Sequence, residues 1–280
     1  MKFVLVILAI LGASNAFADT GKQTPANQSA QYTFGVVPQQ SAHRLAQMWT
    51  PLLQHLKQET GLSLSFITAK DIPSFEDELT AAKYDLAYMN PYHYVVFHSR
   101  SGYQPLVRDS EKGLRGIIVT RKDSHITDIE QLQGATLAFP APAAFAASII
   151  PRAELNRAGI SISPRYVNSH DSVYLNVIKE LFPAGGGIIR SLEHLPAAQR
   201  SQLKILWQSR AYTSHAIAAH SRVPLAHQKL LIAALEKLVT TEKGRALLKQ
   251  LNFNRLDAAE DKDWNDIRAL GINSLSRPDI

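Results

Sequence analysis

The sequence has 280 residues, of which 45% are hydrophobic and 19% charged, with a formal net charge of +6 and no cysteine. This length is ample for a large core and fits two lobes better than one. The lack of cysteine excludes disulfides, thiolate metal sites and a lipid-modified N-terminal cysteine. The positive charge slightly favours anionic ligands. No lysine or arginine cluster of the kind that follows a phosphate backbone is present, so we expect no nucleic-acid partner.

The first 18 residues have the pattern of an export signal. Lys2 gives a short basic start, residues 3–11 form an unbroken apolar run, and Ala16-Phe17-Ala18 is a small-x-small cleavage site. The run is too short to cross a bilayer of about 30 Å as a helix, which needs about 20 apolar residues. We therefore expect a signal peptide (1–18) cleaved after Ala18 and a protein released into the periplasm. A membrane anchor or an N-terminal core strand is the alternative.

The chain that follows begins with a polar segment and then alternates between strand and helix patterns. Residues 19–31 are nearly free of large apolar side chains and are expected to form a flexible lead-in. Two βαβ units in succession then predict a parallel sheet covered by helices on both faces. The predicted strands are 32–37, 62–68 and 86–89, and the predicted helices are 45–60 ending at Gly61, one opening at a capping box at Ser74–Asp77, and 90–98.

The second half of the sequence repeats this alternation and ends in helices. Residues 185–187 (Gly-Gly-Gly) are interpreted as a flexible or crowded turn. The predicted strands are 116–120, 136–139, one ending at 166–167, 204–208 and 215–219, and the predicted helices are 144–158, 171–181, 224–240, 242–251 and 258–270.

Together these patterns predict an α/β protein with two lobes, each built on a mostly parallel sheet flanked by helices. Residues 32–115 and 210–280 are expected to form lobe 1, and residues 116–209 to form lobe 2, with the last helices packed on lobe 1. A ligand in such a fold lies in the cleft between the lobes, at the carboxyl ends of the strands.

Three junctions between a strand and the following helix carry candidate ligand contacts. At the first, Asn90 and Pro91 open a helix, and Tyr88 and Tyr92 offer hydroxyls or rings to a ligand. A capped helix whose tyrosines pack at the lobe surface explains the same residues. At the second, residues 139–148, two prolines and a run of small residues let the backbone N–H groups of residues 144–146 approach an anion. A tight turn packed for its own sake is the simpler explanation.

The third junction follows the predicted strand that ends near residue 167. Ser169 or Asp171 is a plausible N-cap, and His170 could point into the cleft as a hydrogen-bond donor. Capping with a solvated His170 is equally compatible with the pattern. Residues 212–215 lie near the predicted return to lobe 1 and are a weaker candidate for the same cleft.

A series of short motifs recurs through the sequence in a characteristic order and spacing. They are Gly35–Gln39, Trp49 with Pro51, Tyr84–Ala87 with Asn90-Pro91 and Tyr94, Asp128–Gly134, Ala138-Phe139, Pro151, Leu155 with Ala158-Gly159, Ser169–Asp171, and Ile205–Trp207 with Ser209. Together these motifs resemble the phosphonate/phosphite-binding family of transporter solute-binding proteins, with a similarity that runs from about Tyr32 to Leu270. The resemblance implies a type II periplasmic binding protein fold, with two crossovers between the lobes and closure on the ligand.

Two departures from the family pattern concern its ligand. Where the family has a Ser-Thr-Ser-Gly-like loop that holds the phosphonate oxygens, this chain has Ala144-Phe145-Ala146-Ala147. Where the family places an acidic residue before a small-residue strand, this chain has residues 183–187 (Pro-Ala-Gly-Gly-Gly). A neutral hydrogen bond contributes about 0.5–1.5 kcal/mol, so losing three hydroxyl donors would weaken oxyanion binding by orders of magnitude.

The sequence carries little sign of catalysis or of a metal site. His93 and His98 are five residues apart, off the spacing that shares one helix face. Ser169-His170-Asp171 is contiguous in sequence, whereas a catalytic triad is assembled in space. No nucleophile elbow or P-loop is present. We therefore expect no enzyme activity, no cofactor and no metal.

Two non-catalytic functions remain. In the first, the protein captures a small solute between its lobes and delivers it to an ABC permease, and an anionic, phosphonate-like solute is the candidate ligand. In the second, it is a periplasmic sensor that signals to a membrane receptor such as a histidine kinase. The resemblance favours transport, by a protein expected to be a monomer. The candidate ligand contacts are Gln39, Gln40, Tyr88, Asn90, Ala144, Phe145, Ala146, Ser169 and His170.

Overall fold

The computed structural model describes residues 30–271, which form two β-sheets flanked by helices. The predicted signal peptide and most of the predicted lead-in lie outside the described residues. The strands are β1 Gln31–Val36, β2 Ser63–Thr68, β3 Leu86–Met89, β4 Tyr103–Asp109, β5 Ile117–Arg121, β6 Thr136–Phe139, β7 Ser163–Tyr166, β8 Ala184–Gly187, β9 Leu203–Gln208, β10 Ala216–His220 and β11 Leu256–Ala258. The α-helices are α1 Ala42–Thr60, α2 Ile72–Thr80, α3 Pro91–Ser101, α4 Ile150–Arg157, α5 His170–Ile178, α6 Ile189–Glu193, α7 Ala197–Arg200, α8 Leu225–Glu236, α9 Glu242–Leu251 and α10 Asn265–Arg268.

The first sheet has the strand order β11-β4-β10-β3-β1-β2. Strand β1 runs parallel to β2 and β3, whereas β10 is antiparallel to β3 and β4, and β11 is antiparallel to β4. Strands β1, β2, β3 and β4 therefore share one direction. Their carboxyl ends meet at one edge of the sheet, where β10 and β11 begin.

The second sheet has the strand order β7-β6-β8-β5-β9. Strand β6 runs parallel to β7 and β8, and β5 is antiparallel to β8 and β9. The carboxyl ends of β6, β7, β8 and β9 therefore meet at one edge, where β5 begins.

The chain passes between the two sheets twice, and both passages join these two edges. The first runs from the end of β4 to the start of β5, and the second from the end of β9 to the start of β10. The two passages pair with each other, because the backbone N–H of Leu114 donates to Tyr212 O at 2.7 Å and the N–H of Tyr212 donates to Leu114 O at 2.8 Å. The carboxyl edges of the two sheets are thus held facing each other, and the expected two-lobed α/β fold is confirmed. We call the lobe on the first sheet lobe 1 and the other lobe 2.

Helix α1 shows how the apolar stripe of the sequence places a helix on lobe 1. Ser41 caps its start, and its end is Gly61 in the left-handed conformation, with φ 73°. The helix buries Leu45, Trp49, Leu52, Leu53 and Leu56, which recur at three- and four-residue spacing. The tail helices α8 and α9 contribute leucines to the same core, so they pack against α1 and the first sheet.

Several predicted boundaries differ from the structure. Helix α2 begins at Ile72 with Asp71 as its N-cap, because the Asp71 carboxylate accepts the N–H of Ser74, so the predicted capping box at Ser74 is wrong. The predicted helix 144–158 begins as one turn of π-helix, Phe145–Ile149, before α4; we call this segment the π-turn. The predicted helix 258–270 is a 3₁₀ turn, Asp261–Trp264, followed by α10. Strands β4 and β11 were not predicted.

The triple glycine is a buried strand, β8, and the prediction of a turn there is wrong. All of its residues are buried, and it lies between β6 and β5 at the centre of the second sheet. A Cβ on Gly186 would overlap the carbonyl oxygen of Ala147, and a Cβ on Gly187 would overlap the Tyr174 hydroxyl. Glycine is therefore required at these positions of β8, because atoms of the π-turn and of α5 lie too close to leave room for a side chain.

We expect Gly186→Ala to destabilise the protein by about 3 kcal/mol, because the added methyl meets a backbone carbonyl that cannot rotate away. Gly134→Ala is the matched control. Gly134 has φ 75° and nothing lies within 4 Å of its Cβ position, so the cost there is the left-handed backbone alone, about 1 kcal/mol. Urea unfolding of the two variants measures both values. Equal losses would show that the π-turn does not constrain β8.

Candidate functional site

The predicted contact residues occupy the two facing sheet edges. In lobe 1, Gln39 and Gln40 follow β1, and Tyr88 and Asn90 lie at the end of β3. In lobe 2, residues 144–146 follow β6, and Ser169 and His170 follow β7. Because these strands are parallel within each sheet, the topology brings all of the predicted segments to the cleft between the lobes.

An aromatic stack forms the floor of the cleft on lobe 1. The half-buried ring of Tyr88 stacks on His215, with ring centroids 4.9 Å apart, and tilts against Trp49 at 4.6 Å. Gln39 Nε2 lies 2.8 Å from His215 Nε2 and donates to it. Burial lowers the pKa of His215 to about 3, with a further contribution from His93, so the ring is neutral and accepts this bond. The sequence raised His215 as a weaker candidate, and the structure places it in this stack.

Gln40 contributes an acceptor to the same side of the cleft. Its side-chain oxygen Oε1 is buried and has no hydrogen-bond partner within residues 30–271. A buried amide oxygen without a partner is costly, and a donor on a bound ligand would satisfy it.

Asn90 links the two lobes. Its Oδ1 accepts the N–H of His93 at 2.8 Å and so caps α3, while its Nδ2 donates to Ala143 O of lobe 2 at 3.1 Å. The side chain is buried, with 3% of its surface exposed. Beneath it, His93 Nε2 lies 3.0 Å from Glu76 Oε1 in a buried pair. Both ends of the Asn90 amide are therefore already hydrogen-bonded within the protein. Its bond to Ala143 holds the loop after β6 against lobe 1.

The loop after β6 presents backbone N–H groups at this edge. The sequence predicted the N–H groups of residues 144–146 as ligand contacts, but the N–H of Ala144 donates to Ala141 O at 3.3 Å. Residues 145–147 open a helical segment, and within the described chain their N–H groups have no hydrogen-bond partner. Pro151 has no N–H to give to the carbonyl of Ala147, which is consistent with the π-turn at this point. The Phe145 ring is buried, with 3% exposed, and meets the edge of Tyr212 at 6.2 Å. Phe145 thus packs where the lobes meet.

Ser169 and His170 stand at the start of α5. The Ser169 hydroxyl caps the helix by accepting the N–H of Ser172 at 3.1 Å. His170 Nδ1 lies 3.2 Å from the Ser191 hydroxyl, which also lies 2.6 Å from the Tyr174 hydroxyl. Burial lowers the pKa of His170 to about 4, so the imidazole is neutral at physiological pH. Its Nε2 has no partner within the described residues.

Two basic residues at the cleft were not singled out by the sequence. Arg190 lies just beyond β8, and Lys112 lies just beyond β4, so both follow strands that end at the facing edges. Arg190 raised no signal because β8 was interpreted as a turn and the strand end before Arg190 was not recognised. Residues 185–187 could have been interpreted as a strand packed tightly against its neighbours. Arg190 would then have been recognised as a residue that follows a strand end.

The assembled groups can bind but show no arrangement for covalent chemistry. Backbone N–H groups, amides, neutral imidazoles and a guanidinium are hydrogen-bonding partners suited to an oxyanion. Within residues 30–271 no group of three or more His, Asp or Glu side chains is placed to hold a metal ion. Among the helices of the described chain, none is long and apolar enough to span a membrane.

Comparison with known proteins gives a consistent family. Residues 34–264 match the family model described as ABC transporter, phosphonate, periplasmic substrate-binding protein. The phosphate-import protein of Mycolicibacterium smegmatis is 22% identical over 236 residues, covering 76% of this chain and 74% of the relative. The phosphonates-binding periplasmic protein of Escherichia coli is 20% identical over 284 residues, covering 95% of this chain and 84% of the relative.

The fold also agrees with a solved structure. A Prochlorococcus marinus protein in complex with methylphosphonate superposes with a TM-score of 0.75, covering 86% of this chain and 97% of that one, at 18% identity. The fold is that of type II periplasmic binding proteins, as the sequence predicted.

We expect Asn90→Ser to keep the cap on α3 and to lose the bond to Ala143, since serine caps as well as asparagine but has no amide donor. Asn90→Ala loses both and should cost about 1 kcal/mol more in urea unfolding. Small-angle scattering should give a larger radius of gyration for both variants without ligand. A radius unchanged from the wild type in Asn90→Ser would show that this bond does not hold the lobes together.

The lowered pKa of His215 predicts a loss of stability in acid. The unfolded state takes up a proton near pH 6.5, whereas the folded state stays neutral down to about pH 3. The stabilising contribution is therefore complete above pH 6.5 and declines as pH falls from 6.5 towards 3. Discounted for its partial exposure, His215 should contribute about 1 kcal/mol of the loss between pH 6.5 and 5. His215→Asn should make unfolding midpoints fall less over this range, and an unchanged slope would contradict the assignment.

Proposed function

The chain belongs to the family of periplasmic substrate-binding proteins of ABC phosphonate transporters, and from that premise we propose that it captures a small oxyanion, a phosphonate or phosphate, between its lobes. The family is a binding component of a transporter and not an enzyme, which agrees with the sequence analysis. The protein then delivers its ligand to a membrane permease. The family match supports transport and gives no support to the alternative of a sensor for a histidine kinase.

One observation carries the proposal: the facing sheet edges supply donors and little negative charge. The unpartnered N–H groups of residues 145–147 lie on the lobe 2 edge, and Gln39 and Gln40 lie on the lobe 1 edge. His215 and His170 are neutral and can accept or donate. Backbone N–H groups at the start of a helical segment hold oxyanions without side-chain hydroxyls.

The loss of the family's hydroxyl loop changes how the ligand is held. Ala144 and Ala146 carry no hydroxyl, and the buried Phe145 ring packs against Tyr212. We assign ligand contact to the N–H groups of this loop, to Gln39 and Gln40, to the Tyr88 ring, and to His170 with Ser169 at its side. Asn90 acts through closure of the lobes, since its amide already bonds to Ala143.

The way the chain connects the two lobes allows them to close on a ligand. We propose that residues 32–115 with 210–280 move as one lobe and residues 116–209 as the other, about the paired crossovers at Leu114 and Tyr212. A ligand that bonds to both edges stabilises the closed arrangement, which the permease recognises. Export through cleavage after Ala18, and function as a monomer without nucleic acid, complete the proposal.

Thermal and urea unfolding of the mature protein with a panel of solutes tests this function. The panel contains methylphosphonate, phosphate and phosphite, with sulfate, amino acids and neutral sugars as controls. A ligand at 100 times its dissociation constant should stabilise the protein by about 2.7 kcal/mol. We expect stabilisation by the phosphorus oxyanions. Stabilisation by neutral solutes alone would refute the assignment of an oxyanion ligand.

A further inference from the structure

Arg190 is placed among the ligand-binding segments of lobe 2. It follows β8, whose carboxyl end lies at the same sheet edge as those of β6 and β7. Its neighbour Ser191 contacts His170 at 3.2 Å, and the carbonyl of Ile188 accepts the Tyr174 hydroxyl at 3.1 Å. These bonds fix the backbone on either side of Arg190 against α5. The backbone of Arg190 is therefore held at the edge of lobe 2 that faces lobe 1.

The guanidinium has no counterion within residues 30–271. Three other cationic side chains near the crossovers have contacts of their own: Lys112 Nζ donates to Asn252 O at 3.0 Å, Arg115 donates to Ser209 O at 3.0 Å, and Arg210 lies over the Tyr212 ring at 4.2 Å. For Arg190, no ion pair or side-chain hydrogen bond is formed in the described chain, although the residue is half-buried. A half-buried cation without a partner is unfavourable unless a ligand supplies the anion.

Arg190 follows the carboxyl end of β8, on the side of lobe 2 that faces lobe 1. Burial raises the pKa of the Tyr88 hydroxyl and lowers the pKa of Lys112, and the charge of Arg190 acts to lower both, as expected for a cation on this side of lobe 2. Asp109, the acid at the end of β4, is buried, and both of its carboxylate oxygens accept backbone N–H groups, from Glu111 and Asn254. Asp109 is therefore satisfied and leaves the charge of Arg190 available.

We infer that Arg190 binds the oxyanion directly and supplies the charge that compensates for the missing hydroxyl loop. This rests on the proposed function. A guanidinium presents paired N–H donors in one plane, which match two oxygens of a tetrahedral phosphorus anion. A bond between charged partners is stronger than one from a neutral hydroxyl. One arginine together with the N–H groups of residues 145–147 can therefore replace three hydroxyl donors.

Isothermal titration of the mature protein with methylphosphonate and with phosphate tests Arg190. Arg190→Gln should weaken binding about 10- to 100-fold, the range for a hydrogen bond to a charged group. Arg190→Lys keeps the charge but loses the planar pair of donors, so its affinity should fall between the two. Arg200→Gln is the matched control: Arg200 is an exposed arginine of α7 in the same lobe, and this variant should stay within about twofold of the wild type by the same scale.

The outcomes separate this inference from the function it rests on. Wild-type binding that is unchanged in Arg190→Gln would overturn the role of Arg190 and leave the oxyanion function standing. Equal weakening in Arg200→Gln would show a general charge effect and overturn the inference as well. Failure of the wild type to bind either anion would refute the function, and the inference with it. If Arg190→Gln does not fold, as judged by circular dichroism, Arg190→Lys decides between direct binding and no role.

Discussion

The contact between the π-turn and strand β8 is the constraint on which the site depends. The carbonyl oxygens of Ala146 and Ala147 lie so close to Gly116 and Gly186 that neither glycine could carry a side chain. This contact fixes the loop after β6 against the centre of the second sheet. Consequently the N–H groups of residues 145–147 are held at the sheet edge and do not depend on side-chain hydroxyls for their position. Glycine in a buried strand weakens it, so its use three times in succession reflects the close approach of neighbouring backbone and side chains.

From this fixed loop the contacts between the lobes follow. Ala143 accepts the amide of Asn90, Phe145 packs against Tyr212, and the Tyr212 hydroxyl bonds to Glu154 of α4. Each of these pairs joins lobe 2 to lobe 1 or to the crossover. On the lobe 1 side, the stack of Tyr88, His215 and Trp49 gives an aromatic floor in which burial keeps the imidazole neutral. The lobe 1 side of the cleft is therefore aromatic and uncharged at this stack.

Much of the fold could be predicted from the sequence, because the signals were local. The stripe of α1, the strands β3 and β6 and the glycine stops depend on residues close in sequence, and the structure reproduces them. The edges of the sheets were harder. Strand β4 contains Pro105 and alternates poorly, and β11 has three residues, so neither carried a strand signal. The N-cap of α2 was missed because Asp71 precedes a helix whose second residue is proline, while the pattern beginning at Ser74 looked equally good.

The site was harder to predict from the sequence than the fold, because its residues are brought together only by the topology of the two sheets. Tyr88, Asn90 and the loop after β6 could be named from strand ends, and the structure brings them to one cleft. The amide of Asn90 donates to Ala143, and Phe145 faces the protein interior. Both features depend on contacts between residues more than fifty positions apart in sequence, which local patterns do not show. Arg190 was overlooked for the same reason: the importance of its position follows from β8 being a central strand.

A crystal structure of the mature protein with methylphosphonate tests the central claim most directly. We expect phosphonate oxygens within about 2.7–3.2 Å of backbone nitrogens in residues 145–147 and of the Arg190 guanidinium. We also expect the lobes to be closed and Asn90 still to donate to Ala143. A ligand bound away from this loop, with Arg190 in solvent, would contradict that claim.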